Sequence, residues 1–516
     1  MNHPEWIAAY RRAGASRRLL TCVALLLAVA SAAAAPPEKV ALVGARIIPV
    51  VGPDVDRGTL LIEHGRIAAI GKDVKIPYDA MEVDVSGKVL FPGMIDPHSW
   101  RGLDQPNESL PVMPYLDVYD ATDPSRLFFE NALRDGITTV HVVQGNDCVI
   151  GGVTRVVRPI GLSLAEMTVA ERVGIKLSTS PKRGFDRMLQ MATLREAFLE
   201  LDDYLERLAE QKYEEKLSKK EKKIDVGPKE ARQRGRELIE PSDYDDAHAN
   251  LVQLTRGQID AWIYAGAATD VAPAIKIARD HGFLERTVLV LGPECFKAVD
   301  DIKASGRPVV LDDELVYRER DPLTGKLTET FVPKVFADAG VKFALQPSPD
   351  ASLPERYLNY QAARCVREGL SRDAALRSIT MNPAEAIGLG DRLGSLEVGK
   401  TANVVVLSGD PLNFNSWVEY VYIDGIRAYD RSKDPRLAEL LGEEPEGEKK
   451  PPAEGEKEKK AEEDPAAKPD AAGNGKDATQ GDASGGKSQG EKPGEKKDAP
   501  PGVRRPAHRD GAEGGE

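Results

Sequence analysis

The sequence predicts an α/β protein: a (β/α)8 TIM-like barrel over residues 91–390, joined to a small composite β-sandwich formed from both chain ends. Three observations predict it. Short β-type runs fill residues 39–90, and runs of the same texture return at 394–425. Between them, β-branched apolar runs alternate with amphipathic helical stretches, the rhythm of a parallel sheet with crossover helices. The span suits an eight-stranded barrel with insertions. Neither flanking β block is long enough to bury a core alone, so residues 36–90 are expected to pack with 391–432.

At the N-terminus, Arg11, Arg12, Arg17 and Arg18 precede an apolar run at 19–30 and small residues at 31–35. This is a secretory signal pattern over residues 1–35, and it predicts export to a periplasmic or extracellular compartment. The apolar run is short of the ~20 residues a spanning helix needs, so no stable membrane span is expected. Beyond the signal, Cys148, Cys295 and Cys365 are too scattered for a disulfide framework and read as buried thiols.

In the first β block, Val40-Ala41-Leu42-Val43 and Arg46-Ile47-Ile48-Pro49-Val50 read as two short runs separated by Gly44. Apolar runs at 58–63 and 66–71 flank His64-Gly65, which predicts a hairpin. His64 leaves the turn type open. In the central region, runs at 137–143, 261–265, 287–292, 308–311 and 342–345 read as strands. A Glu-, Lys-, Arg- and Leu-rich stretch at about 194–240 reads as a charged helical insertion with a solvated face. Residues 442–516 hold almost no large apolar side chain, so this low-complexity tail is expected to be disordered. The net charge of −13 argues against a nucleic-acid partner. A small-molecule ligand is expected, and oligomeric state stays open.

Several motifs carry a resemblance. They are Pro92-Gly93-Met94-Ile95-Asp96-Pro97-His98, Gly136-Ile137-Thr138-Thr139-Val140, the loop-like Val149-Ile150-Gly151-Gly152, residues 374–384, and Gly394-Ser395-Leu396-Glu397-Val398-Gly399-Lys400. Together they resemble the amidohydrolase superfamily, above all its imidazolonepropionase-like and exported members, over residues 40–428. Asn403 stands where that pattern has Asp. The resemblance implies the barrel, the composite sandwich and hydrolysis of C–N bonds. It also implies a divalent metal, such as zinc, that activates water, with a carboxylate near the last strand handling the proton.

The same resemblance places the candidate residues. His98 keeps the first metal-ligand place, and Lys176 resembles a strand-four lysine that bridges metals in some relatives. A lysine held for packing or an ion pair is the other reading of Lys176. Trp100 replaces the second histidine, and an indole nitrogen donates only. Tyr264 holds the fifth-strand histidine place. At the eighth strand Ser348 stands where the carboxylate is expected, with Asp350 two residues on. Glu294 follows the sixth strand. The candidates are therefore His98 and Lys176 for metal, and Asp350 and Glu294 for catalysis. With so many ligands replaced, the expectation is no cofactor, or zinc if the site is retained. His141, in the second strand, is expected to be packed or hydrogen-bonded. Two functions follow: a C–N hydrolase with an altered site, or a non-catalytic binding or assembly protein on the same fold.

Overall fold

The computed structural model describes residues 38–220, 226–350 and 352–442. The signal segment 1–35 and the tail beyond 442 lie outside the described residues. Strands β1 (Lys39–Ile47), β2 (Val55–Glu63), β3 (Arg66–Gly71), β4 (Met81–Asp84) and β5 (Val89–Pro92) come first. Then follow β6 (Met94–Ser99), β7 (Ile137–Val142), β8 (Ile150–Val153), β9 (Arg155–Val157), β10 (Thr168–Ala170) and β11 (Gly174–Ser178). After a helical stretch come β12 (Asp260–Ala265), β13 (Thr287–Leu291), β14 (Val309–Leu311), β15 (Val316–Arg320), β16 (Leu327–Phe331) and β17 (Phe343–Leu345). The last are β18 (Val404–Leu407), β19 (Val418–Ile423) and β20 (Ile426–Asp430).

Strands from both chain ends share one sheet, in the order β20-β19-β18-β5-β1-β2-β3, with β4 also on β1. The joint is β5 against β18, antiparallel, Val89 opposite Leu407 and Pro92 opposite Val404. Both strands are buried throughout, which is why each is a run of large apolar residues. Gly44 does not break the chain into separate strands. It sits at a bulge inside the single strand β1, where the register to β2 shifts.

The expected hairpin at His64-Gly65 joins β2 and β3. His64 has φ 49° and Gly65 φ 73°, so both central residues are left-handed, as a type I′ turn requires. Asp424-Gly425 repeats this between β19 and β20, with φ 49° and 75°. The two turns lie against each other. A Cβ on Gly425 would stand 2.8 Å from Ile62 Cγ2 and 3.2 Å from Gly65 Cα. Asn403 ties them in: its side chain accepts from Asp424 N at 3.1 Å, and its carbonyl accepts from Gly93 N at 2.9 Å.

The chain runs from β5 through Gly93 straight into β6. β6 pairs parallel with β7, and β11, β12, β13, β14 and β17 pair parallel in that order. The stretch 150–170 departs from the expected parallel pattern. Residues 150–153, read as a loop from the sequence, form β8, which runs antiparallel to β11. After Thr154 the same chain continues as β9, antiparallel to β7. Residues 143–149 between β7 and β8 are too few for a crossover, which takes about a dozen or more, so the chain turns back instead. Gly151 and Gly152 serve close approach here: added Cβ atoms would meet Gln144 Oε1 at 2.4 Å and the Leu116 carbonyl oxygen at 2.8 Å.

The charged stretch is helical, and its first helix begins at Arg187, ahead of the expected 194. Helix α1 (Leu127–Arg134) precedes it, and α2 (Arg187–Ser218) and α3 (Pro228–Arg236) form it. Asp186 caps α2 by accepting from Leu189 N at 2.8 Å. The first turns of α2 bury Leu194, Ala197, Phe198 and Leu201, one helical face. Arg232 of α3 pairs with Glu206 and Glu210 of α2 at 2.5 and 3.2 Å. The hairpin β15–β16 has no counterpart among the sequence-based expectations. Cys148, Cys295 and Cys365 are buried free thiols. Among the described residues no helix is long and apolar enough to cross a membrane.

Gly425→Ala is expected to lower the unfolding midpoint by more than about 1 kcal/mol equivalent, because it adds a clash to an unfavourable φ. Gly340→Ala, at φ 76° with open space around the added Cβ, isolates the backbone cost and should lower the midpoint less. Denaturant melts of both variants check this.

Candidate functional site

All six residues of β6 are buried, and the strand places Asp96 and His98 near its C-terminal end. Asp96 Oδ1 accepts from His98 N at 3.2 Å. Burial pushes the Asp96 carboxyl up to about 7. From β11, Lys176 extends a side chain with 0% exposure toward His98. Its Nζ lies 2.8 Å from His98 Nε2 and donates to Asn146 Oδ1 at 2.7 Å. Burial, then the neighbouring Lys176 cation, holds His98 well below its usual range, so its imidazole is neutral and its lone pair accepts from the ammonium. Burial also lowers Lys176, to about 8.

Other strand ends complete the cluster. Tyr264, near the end of β12, turns its ring face to the amine, with Nζ 5.4 Å from the centroid. Burial, then nearby acidic groups, raises the Tyr264 phenol, which stays protonated. Asp312 follows β14 directly, and Gln346 follows β17. Gln346 Nε2 donates to Asp312 Oδ1 at 2.8 Å. Its amide oxygen is buried and faces the His98 ring. Burial, then the adjacent Asp313, pushes Asp312 up to about 7. Within the cluster Lys176, His98, Asp96 and Gln346 are buried, and Asn146, Tyr264 and Asp312 are half-buried.

The structure thus brings two of the four sequence candidates together, His98 and Lys176. Glu294 pairs instead with Lys297 at 3.5 Å. Asp350 is exposed and accepts from Ser352 N and Oγ at 2.8 and 2.7 Å, bonds that hold its carboxyl below the usual range. Ser348 is buried, and its Oγ accepts from Asp350 N at 3.2 Å. His141 is engaged by the Pro97 carbonyl at 2.9 Å and Thr154 Oγ1 at 2.7 Å, with its ring 4.2 Å from that of Trp262. Burial lowers it to about 3. Trp100 is half-buried and packs on the core. Asn146, Asp312 and Gln346 escape the sequence reading. One signal was present: Asp312-Asp313 is the first polar pair beyond the apolar run at 308–311.

A family profile described as the amidohydrolase family matches residues 355–429. The amidohydrolase tasK of Hapsidospora irregularis is 23% identical over 432 residues, which cover 72% of this chain and 40% of that protein. The chain therefore spans under half the length of that relative. The imidazolonepropionase of Geobacillus kaustophilus is 24% identical over 444 residues, which cover 75% of this chain and 92% of that one. A crystal structure of an amidohydrolase from Thermotoga maritima matches with a TM-score of 0.64 and 28% identity, covering 76% of this chain and 100% of that one. The chain belongs to the amidohydrolase superfamily.

Membership in the amidohydrolase superfamily implies a divalent metal, and the donors present can be tested against one. A tight site needs several deprotonated ligands converging, usually three or more. His98 offers one lone pair, and Lys176 Nζ is already on it. Trp100 cannot accept, and Tyr264 keeps its proton. Asn146 and Gln346 bring neutral amides. Among the described residues no three His, Cys, Asp or Glu side chains gather as a metal site. This donor set does not fit a tightly held divalent cation.

The buried amine makes a pH prediction. The folded pKa of Lys176, about 8, lies below its unfolded value of 10.5. Between those values the unfolded chain binds the proton and the folded protein does not, so stability rises with pH through that window. Relative to Lys176→Met, the wild type should gain about 3 kcal/mol from pH 8 to 10.5, read by denaturant melts at each pH.

Proposed function

We propose that the chain is an exported hydrolase of carbon–nitrogen bonds in small amides or cyclic amides, working without a tightly held divalent metal. The observation that supports this reading is the Lys176 amine, held against His98 and the half-buried Asn146 where the inner strands end. On this reading a substrate carbonyl displaces Asn146 Oδ1 and takes its hydrogen bond from Lys176. The ammonium then faces the oxygen that becomes negative as the carbonyl is attacked, where a preplaced positive donor acts most strongly.

On the same reading the two inner sheets close into one (β/α)8 barrel, with β8–β9 as an antiparallel third member. Residues 378–379 bridge β17 and β6, which supports closure: Ile95 N donates to Ile379 O at 3.1 Å, and Leu345 N to Ser378 O at 2.9 Å. The sheet shared by the chain ends is then the composite sandwich domain beside it.

The test is a panel of linear amides, lactams and cyclic imides, assayed for amine release or ring opening by purified full-length protein before and after dialysis against chelator. Turnover unchanged by chelator, with metal well below one equivalent by elemental analysis, is the expected result. Stoichiometric zinc, manganese or iron whose removal stops turnover would overturn the metal-free mechanism. No turnover on any amide would overturn the hydrolase and favour a binding or assembly protein. Export predicts in addition that protein recovered outside the cytoplasm starts near residues 32–36. Mass spectrometry finding Met1 intact on that material would contradict it.

A further inference from the structure

We infer that Asp312 is the general base of this site. The inference rests on the hydrolase reading above. Asp312 is the first residue past β14, so its side chain leaves a rigid strand at the end where Lys176, Tyr264 and Gln346 converge. Two donors orient it. Asp313 N and Gln346 Nε2 reach Oδ1 at 2.9 and 2.8 Å. Both bonds fall on Oδ1, so Oδ2 is the oxygen assigned to a water, with the Asp313 carboxyl within hydrogen-bond reach of the same group. The residue is half-buried, unlike Lys176, His98, Asp96 and Gln346.

The other carboxylates considered for the role fail on geometry. Asp96 is 1% exposed and lies under His98. Glu294 is drawn to Lys297, and Asp350 points into its own turn with Ser352. His98 has given its lone pair to Lys176. The groups facing Asp312 are Asp313 on its own loop, Lys176 from β11, Tyr264 from β12, Cys295 after β13 and Gln346 after β17. Lys176 is the cation among them, and it balances the carboxylate. Asp313 is the like charge beside it, and it keeps Asp312 basic enough to take a proton near neutral pH.

The step balances. A water oxygen bonds to the carbonyl carbon as its proton passes to Asp312 Oδ2. The π electrons move to the carbonyl oxygen beside Lys176. On collapse the C–N bond breaks, and the proton on Asp312 passes to the departing nitrogen. The products are a carboxylic acid and an amine, and Asp312 is again a carboxylate.

The test uses the panel amide of highest turnover with full-length wild type, Asp312→Asn, Asp312→Glu and Asp313→Asn. Asn keeps the acceptor for Gln346, so Asp312→Asn should melt like the wild type. It should lose at least about a hundredfold in kcat with KM little changed. Asp312→Glu should recover some of that loss, which keeps the inference testable if the Asn variant is unstable. Asp313→Asn should keep most of kcat but move the acid limb of the pH profile to lower pH, because it removes the neighbouring negative charge. Full kcat in Asp312→Asn, or loss in Asp313→Asn instead, overturns the assignment while the hydrolase stands. A wild type inactive on every amide removes the hydrolase reading and this base with it.

Discussion

A lysine amine with no exposed surface sits where the inner strands end, and its desolvation governs what can surround it. Moving an ammonium out of water is costly unless fixed dipoles and lone pairs replace the water. Lys176 has three such neighbours: the imidazole lone pair of His98, the amide oxygen of Asn146 and the face of the Tyr264 ring. Each is neutral. The charge is balanced at longer range by Asp312, which Gln346 holds in place. The same requirement keeps His98 neutral, since a second cation at hydrogen-bond distance would be strongly opposed. An imidazole committed in this way has nothing left to give a metal.

Much of the fold is legible in the sequence, because apolar periodicity reports burial directly. The runs at 137–143, 261–265 and 287–292 match β7, β12 and β13, and the turn at His64-Gly65 is where the spacing puts it. What fails to show is also instructive. Gly151 and Gly152 read as a loop, because glycine usually weakens a strand. Here two neighbours press so closely on β8 that no side chain fits, and the strand depends on glycine. Gly44 misleads in the same way, since a bulge and a break look alike in a string of letters.

The site is less fully legible. His98 and Lys176 stand 78 residues apart and meet at 2.8 Å. Each is detectable alone, by a motif or by its place in a strand. Asp312 and Gln346 carry no motif. They matter because two strands end side by side, and that adjacency belongs to the sheet rather than to spacing along the chain. Glu294 and Asp350 look equally suitable on paper. Each is consumed by a neighbour three or two residues away, the kind of local bond that loop carboxylates readily make.

The pairing of β5 with β18 has a consequence for how the chain is made. Residues 89–92 leave the ribosome more than three hundred positions before residues 404–407, their antiparallel partners. Throughout that interval one edge of a wholly apolar strand has no partner of its own. Such an edge invites pairing with other chains. The order of synthesis therefore exposes the nascent protein to aggregation for as long as the inner strands take to emerge. Helpers that shield β5 would be needed chiefly before residue 404 is made, and the finished protein would have no use for them.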